Sequence, residues 1–227
     1  MKRARFLVLA ALLGAASLYV GLRVGSERQP LVHPLTGRAI AGIATDAAWM
    51  DRASRQQEEA PAKALALLDL RPGMVVADIG AGSGYMTVRI APLVGTTGKV
   101  YAEDIQPALL QLVQARALAA HLSNVEVVLG SDTDTKLPEN TIDLALLVDV
   151  YHEFHHPQEM LRSIRRALKP GGRLVLIEYR KEDATLPIAP THRMSVAEAM
   201  AEVDAEGFAF DRDVETLPRQ HVIVFHK

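Results

Sequence analysis

The sequence contains no cysteine among its 227 residues. This absence excludes disulfide bonds, thiolate metal sites, a cysteine nucleophile and a lipidated N-terminal cysteine, and it leaves the redox compartment undetermined. Aromatic residues are sparse, at 5% with a single tryptophan, whereas 49% of the residues are hydrophobic, as is typical of a globular protein. The length predicts one folded domain preceded by an N-terminal extension.

Most of the chain also lacks an excess of positive charge. The first 30 residues contribute +4 to the formal net charge of −2, so residues 31–227 carry −6. Neutralisation of phosphates by Lys and Arg supplies most of the affinity of proteins for nucleic acids. The composition therefore predicts no nucleic-acid partner, and no pattern in the sequence indicates a protein partner.

One long hydrophobic run begins after three basic residues, Lys2, Arg3 and Arg5. Residues 6–22 are uncharged and would form a helix about 25 Å long, slightly shorter than a bilayer core of about 30 Å. Two interpretations of residues 1–25 stay open: a retained membrane anchor, or a signal peptide removed near the small residues 15–17. We expect a membrane-associated protein, or an exported one if the segment is cleaved. The flanking charges favour export, but the side of the membrane stays open.

The remaining pattern predicts an α/β fold. Residues 26–70 are interpreted as a linker followed by a first helix around 51–70. The stretch around Trp49 to Leu68 is expected to lie across the cofactor end as a lid. From residue 71, apolar strands at 73–80, 99–105, 124–130, 142–150 and 172–179 alternate with helical stretches. A capping box at Ser195 and Glu198 starts a last helix, and two final strands without a helix between them should pair as an antiparallel hairpin. The prediction is a doubly wound, mostly parallel seven-stranded sheet that ends in this hairpin, with a hydrophobic helix at the N-terminus.

A glycine-rich turn follows the first strand. Gly80, Gly82 and Gly84 leave the backbone bare between a strand and a helix, where peptide groups can approach a ligand. The G-x-G-x-x-G fingerprint of nicotinamide dinucleotide sites is not matched, because Tyr85 occupies the third glycine position. The second strand ends in an acidic pair that includes Asp104, and a carboxylate there can accept both hydroxyls of a ribose.

With these motifs the chain resembles the class I methyltransferases that use S-adenosylmethionine. The resemblance covers residues 71–227 and is carried by "VADIGAGSGY", "VYAEDIQPALL", "LPENTIDLALLVDVYHEF" and "LKPGGRLVLIEY". It implies that the first motif lines the methionine and ribose side, that Asp104 holds the ribose hydroxyls and that Ile105 packs on adenine. Near the adenine amino group the spacing departs from the family pattern. The cofactor-binding residues expected on this basis are Asp78, Gly80, Ala81, Gly82, Gly84, Tyr85, Asp104, Ile105, Ser131, Asp132 and Asp149.

The segment "DVYHEFHHP" follows the fourth strand and should lie beside the acceptor. Tyr151, His152 and Glu153 are the candidate catalytic residues, with His152 as the base and Glu153 as the group that orients it. The same letters satisfy the zinc-protease motif H-E-x-x-H, which requires a helix that places both histidines on one face. Here the motif lies at a strand end and Pro157 disfavours helical geometry at His156. We therefore predict no metal site.

The sequence as a whole predicts an enzyme that transfers a methyl group from S-adenosylmethionine to a small acceptor by in-line displacement. The acceptor is expected to be lipophilic, because an N-terminal hydrophobic segment would bring the domain to a membrane and the region around the fourth strand loosely resembles quinone and sterol methyltransferases. Two alternatives remain at this point: a membrane-tethered module that binds the nucleoside cofactor without catalysis, and a nicotinamide-dependent oxidoreductase.

Overall fold

A computed structural model describes residues 31–227 of the chain. The predicted anchor or signal peptide, residues 1–25, lies outside these residues. Among the helices between residues 31 and 227, none has both the length and the apolar character that crossing a membrane requires.

The described residues form a doubly wound sheet of seven strands in the order β3-β2-β1-β4-β5-β7-β6. The first five strands are parallel, while β7 pairs antiparallel with both β5 and β6. The predicted mostly parallel sheet and its antiparallel C-terminal hairpin are thus confirmed. The strands are β1 (Val75–Ile79), β2 (Lys99–Asp104), β3 (Val125–Leu129), β4 (Ile142–Val148), β5 (Leu168–Tyr179), β6 (Ala209–Val214) and β7 (Gln220–His226).

Helices cover both faces of this sheet. The central strands are buried on both sides, which explains why their sequences are apolar without polar alternation. The predicted capping box is present, since the Ser195 side chain accepts from the Glu198 N–H and Glu198 accepts from the Ser195 N–H. The helices are α1 (Ala47–Met50), α2 (Arg55–Glu58), α3 (Pro61–Leu67), α4 (Thr87–Val94), α5 (Pro107–Ala119), α6 (Pro157–Ala167) and α7 (Val196–Asp204).

The single first helix expected around 51–70 is wrong, because residues 47–67 form three short helices and only α2 and α3 lie within the expected range. Asp46 caps α1 through hydrogen bonds from the N–H groups of Ala48 and Trp49. Ala60 adopts a left-handed conformation at φ 49° and Pro61 then begins α3. A left-handed residue ends a helix and a proline is favoured at the first helical position, so the chain restarts there.

Candidate functional site

A cavity of about 460 Å³ lies at the carboxyl ends of the central strands. It opens beside β1 and β4, where the strand order reverses, which is the usual ligand position in open α/β sheets. Its volume is within the range of small-molecule sites. All predicted site residues except Gly84 and Tyr151 line it: Asp78, Gly80, Ala81, Gly82, Tyr85, Asp104, Ile105, Ser131, Asp132, Asp149, His152 and Glu153.

The glycine turn forms one wall of the cavity. Gly80 and Gly82 have φ values of +66° and +55°, which side chains disfavour. A Cβ atom on Gly80 would lie 2.3 Å from Val150 Cγ2, and one on Gly82 would lie 2.8 Å from Met50 Sδ. The turn is therefore bare because the chain must bend sharply between packed neighbours.

Gly84 was expected to contact the cofactor, but it packs against a helix instead. It does not line the cavity; a Cβ there would lie 3.2 Å from the Cα of Val113 in α5. Its prediction as a cofactor contact is corrected accordingly. The third glycine lets the turn approach a neighbouring helix closely, whereas the first two face the ligand space.

Asp104 lies at the end of β2 and supports the glycine turn. Its Oδ2 accepts a hydrogen bond from the Gly82 N–H and its Oδ1 accepts one from the Gln106 N–H, each at 2.9 Å. A carboxylate oxygen has a second lone pair, so both oxygens can still accept from a ligand. Ile105 follows directly on the cavity wall.

Buried carboxyl groups surround the turn. Burial raises the pKa of Asp78 to about 6, and its Oδ2 accepts from Thr87 Oγ1 at 2.5 Å. Burial, helped by Asp104, raises the pKa of Glu103 to about 8. Within residues 31–227, Glu103 Oε1 is buried without a hydrogen-bond partner.

Asp149 presents a second buried oxygen of this kind. It adopts a left-handed φ of 52° directly after β4. Its Oδ2 accepts from Gln220 Nε2 at 2.7 Å, while Oδ1 has no partner in the described part of the chain. Burial and the carboxylates of Glu59 and Glu178 raise the pKa of Asp149 well above its usual value.

The acidic groups around the glycine turn suit a nucleoside ligand that carries a positive charge. Bare backbone, the Asp104 carboxyl group and the buried Asp149 Oδ1, which has no partner within residues 31–227, favour a ligand that carries positive charge and hydroxyl donors. The pyrophosphate of a nicotinamide dinucleotide would instead approach the carboxylate of Asp104, which repels it. The sulfonium and amino groups of S-adenosylmethionine fit these residues.

His152 is buried at the other end of the cavity. Its Nδ1 lies 2.5 Å from Glu178 Oε2 and its Nε2 lies 3.1 Å from His192 Nδ1. Burial by itself would lower the pKa of His152, but the adjacent Glu178 carboxylate outweighs burial and the pKa lies above its usual value. Glu178 also accepts from the Tyr151 N–H at 2.8 Å, so the carboxylate that orients His152 is itself fixed.

The predicted partner of His152 is therefore corrected. Glu153 Oε2 accepts from the Ala44 N–H at 3.0 Å, and Glu153 Oε1 lies 3.8 Å from His152 Nε2, beyond hydrogen-bond distance. Glu153 lines the cavity but does not orient the imidazole. Glu178, which lies on β5, has that position.

The prediction that Tyr151 faces the acceptor is also corrected. Tyr151 is fully buried in the core and packs edge-on against Phe154, with ring centroids 5.6 Å apart. Residues 151–153 form a 3₁₀ helix, in which successive side chains point about 120° apart. Tyr151 therefore faces the core, whereas His152 and Glu153 face the cavity.

Two further predicted residues lie at the adenine end expected for the cofactor. Ser131 donates its N–H to the carbonyl of Asp134 at 2.9 Å, and Asp132 Oδ2 lies 3.6 Å from His156 Nε2. His156 is half-exposed and precedes α6, so it does not share a helical face with His152. The geometry required by H-E-x-x-H is thus not formed.

Further residues line the cavity, among them members of the segment expected to act as a lid. Met50 and Trp49 of α1 and the nearby Arg55 cover the glycine turn, and the Arg55 guanidinium lies 4.3 Å from the centre of the Tyr85 ring. His192 reaches the cavity from a loop after β5. No local pattern marks His192, whereas the single tryptophan at residue 49 was a signal for this wall.

Comparison with known proteins identifies the family. A family model described as a methyltransferase domain matches residues 70–215, more than half of the chain. The chain belongs to this family. It is a class I S-adenosylmethionine-dependent methyltransferase, as the sequence motifs predicted, and its cofactor is S-adenosylmethionine.

Individual relatives agree with this assignment. A solved S-adenosylmethionine-dependent methyltransferase from Aquifex aeolicus superimposes with a TM-score of 0.75 at 28% identity and covers 79% of this chain and 96% of its own. The ubiquinone/menaquinone biosynthesis C-methyltransferase UbiE of Pseudomonas savastanoi is 36% identical over 65% of this chain and 53% of its own. UbiE of Ectopseudomonas mendocina is 35% identical over 51% of this chain and 45% of its own. The methyltransferase thus spans about half the length of these curated relatives.

Proposed function

We propose that this methyltransferase transfers a methyl group to a small, lipophilic acceptor bound beside His152. The observation that carries the proposal is the single continuous cavity, which has buried carboxyl groups at the glycine turn and His152 at its other end. When bound, the cofactor supplies an electrophilic methyl group on its sulfonium. The chain itself has to bind, orient and shield the two reactants.

Asp104 holds the ribose hydroxyls in this proposal, and Ile105 packs against adenine. Gly80, Ala81 and Gly82 present backbone to the methionine and ribose part. The free oxygen of Asp149, beside the acceptor segment, faces positive charge on the cofactor, which is the partner that a buried carboxylate needs. Ser131 and Asp132 lie on the wall proposed for the adenine amino group.

His152 is proposed as the group that accepts the proton of the acceptor. Nε2 is the nitrogen on the cavity side, where it lies 3.1 Å from His192 Nδ1, because Glu178 engages Nδ1. Glu178 acts as a positioning residue that fixes the ring and its tautomer. Glu153, held by the backbone of residue 44, narrows the same end of the cavity.

The acceptor class follows from the apolar character of the wall near His152. Ile43, Phe154, Pro187 and Ile188 line this end, and such a surface favours an apolar ring or chain over a charged metabolite. The matched relatives are named for ubiquinone and menaquinone biosynthesis. We extend that chemistry to this chain and propose an aromatic quinone precursor as the acceptor.

We further propose that residues 1–25 either anchor the domain at a membrane as a retained hydrophobic helix or direct its export as a cleaved signal. Residues 26–70 then act as linker and lid, and residues 71–227 form the catalytic domain. The supporting feature is the uncharged run 6–22 after three basic residues. Alkaline extraction of membranes tests whether the segment is retained as an anchor, and mass determination of the mature chain tests whether it is cleaved. Protease accessibility on intact cells tests on which side of the membrane the domain lies. A full-length chain in the soluble fraction would contradict the proposal.

The activity is tested by incubating purified protein with methyl-labelled S-adenosylmethionine and a panel of demethylated quinol precursors. Formation of S-adenosylhomocysteine together with label in the lipid fraction is the expected result. Tight binding of S-adenosylhomocysteine without turnover on any lipid extract would support the non-catalytic binding module instead. Binding of NADH in place of S-adenosylhomocysteine would overturn the cofactor assignment.

A further inference from the structure

Three side chains at the acceptor end converge on one point. His152 Nε2 and His192 Nδ1 are 3.1 Å apart, and Glu153 Oε1 lies 3.8 Å from the first and 3.9 Å from the second. All three residues line the cavity. Two imidazoles and one carboxylate are the donor set of catalytic zinc sites and of many non-haem iron sites.

The separations match the size of a divalent ion. The centre of a triangle with sides of 3.1, 3.8 and 3.9 Å lies about 2.1 Å from each corner, which is the usual length of metal–nitrogen and metal–oxygen bonds. The three atoms come from two different segments, so the spacing is a product of tertiary packing. An ion there would keep open positions toward the cavity.

The contacts around His152 orient its imidazole as they would for a metal ligand. Its Nδ1 lies 2.5 Å from Glu178 Oε2, a contact that favours the tautomer with the proton on Nδ1, and its Nε2 faces the other two side chains. A carboxylate behind a histidine is the usual outer contact of metal-bound imidazoles and fixes their tautomer. Glu178 is completely buried and also accepts the Tyr151 N–H, so it holds the ring rigidly.

A second cluster of similar composition lacks this preparation. Asp213, Glu215 and His221 also bring three donor atoms together. There, however, both nitrogens of His221 already contact carboxylates, and Glu215 is paired with Arg180. Its imidazole is thus already engaged by two acidic side chains. The side chains of the cluster at the cavity have no arginine or lysine partner among residues 31–227.

We propose that His152, His192 and Glu153 form a binding site for a divalent transition-metal ion of the zinc class at the acceptor end of the cavity. The motif H-E-x-x-H contributes only its first two residues, and its second histidine is replaced by His192. The ion would bind an oxygen of the acceptor and orient it, a consequence that rests on the proposed function. Metal binding and proton uptake use the same lone pair of His152, so with an ion bound His152 would be a ligand and not the base. The ion would then lower the pKa of an acceptor hydroxyl, whose proton would pass to water.

The test is titration of the untagged full-length protein with Zn²⁺ against a chromophoric chelator, and with Co²⁺ followed by visible absorption. We expect one site whose Co²⁺ spectrum indicates low coordination number. His192→Ala should weaken Zn²⁺ binding by about 100-fold, and Glu178→Gln by about 10- to 100-fold. Because His192 lies on a partly exposed loop, its replacement leaves the core intact.

Two matched variants serve as controls. His156→Ala removes the half-exposed second histidine of the motif, and Glu215→Ala removes a ligand from the second cluster; neither should change the affinity of the cavity site. Binding that is absent, or that is unaffected by His192→Ala, would overturn the proposal. Affinity for S-adenosylhomocysteine, measured on the same preparations, reports separately on the proposed function, because the metal site does not include the glycine turn.

Discussion

Replacement of Asp104 by alanine tests the cofactor geometry directly. The carboxylate accepts the N–H groups of Gly82 and Gln106 at 2.9 Å each, and each oxygen keeps one lone pair for a ribose hydroxyl. A hydrogen bond to a charged acceptor contributes about 1.5 to 3 kcal/mol. Loss of two such bonds corresponds to about 100- to 20,000-fold weaker binding of S-adenosylhomocysteine.

Isothermal titration calorimetry at mildly alkaline pH measures this loss, since burial raises the pKa of Asp104 above its usual value. The variant also leaves two backbone N–H groups without their acceptor, which should lower the free energy of unfolding by about 1 to 3 kcal/mol for each group. Urea unfolding without ligand quantifies that contribution separately. Glu103→Gln, at the adjacent position, is the matched control and should retain cofactor affinity.

A ligand lacking ribose hydroxyls completes the test as a double-mutant cycle. Wild-type protein should bind the 2′,3′-dideoxy analogue much more weakly than the parent nucleoside, whereas Asp104→Ala should bind the two within about twofold of each other. If the folded variant bound S-adenosylhomocysteine as well as wild type, or still discriminated between the two nucleosides, the assignment of the ribose to Asp104 would be refuted.

Three further outcomes are expected. The folded-state pKa of Glu103 is about 8 against an ordinary value of 4.5, so between these pH values the unfolded chain releases a proton that the folded protein keeps, and stability falls as pH rises. Glu103→Gln should remove this loss, on the order of 5 kcal/mol at full titration, and urea unfolding at several pH values checks it; equal pH dependence in both proteins would contradict the argument. Gly80→Ala should destabilise more than Gly82→Ala, by about 1 to 3 kcal/mol in urea unfolding, because only the first places a Cβ against the branched side chain of Val150; the reverse order would refute this reasoning. Glu178→Gln should lower kcat by about 100-fold with unchanged affinity for S-adenosylhomocysteine, and steady-state kinetics beside calorimetry would expose a merely structural role as a loss of both.

Much of the fold could be predicted because its signals are local. Apolar strands alternate with helical periodicity, and the absence of a helix between the last two strands required antiparallel pairing. The prediction of one helix around 51–70 was wrong, also because of a local feature. Ala60 is left-handed at φ 49°, and nothing in an alanine-rich segment announces that conformation.

In the candidate site, too, some residues could be predicted from the sequence and others could not. Asp78, Gly80 and Asp104 could be selected because strand ends meet at one edge of a parallel sheet. Gly84 and Tyr151 were misplaced because the direction of a residue within a tight turn or a 3₁₀ helix depends on its packing. The role of Asp104 toward ribose stays a prediction until the binding experiment is made.

The sequence by itself determined the class of fold, the position of the glycine turn and the family, because each depends on residues that are close along the chain. Only the tertiary structure decided which groups surround His152. Glu178 and His192 are 26 and 40 residues away from it, and they reach it because β5 lies beside β4 and the following loop returns across the strand ends. Contacts of that kind depend on packing between distant segments, which no local spacing of residues encodes.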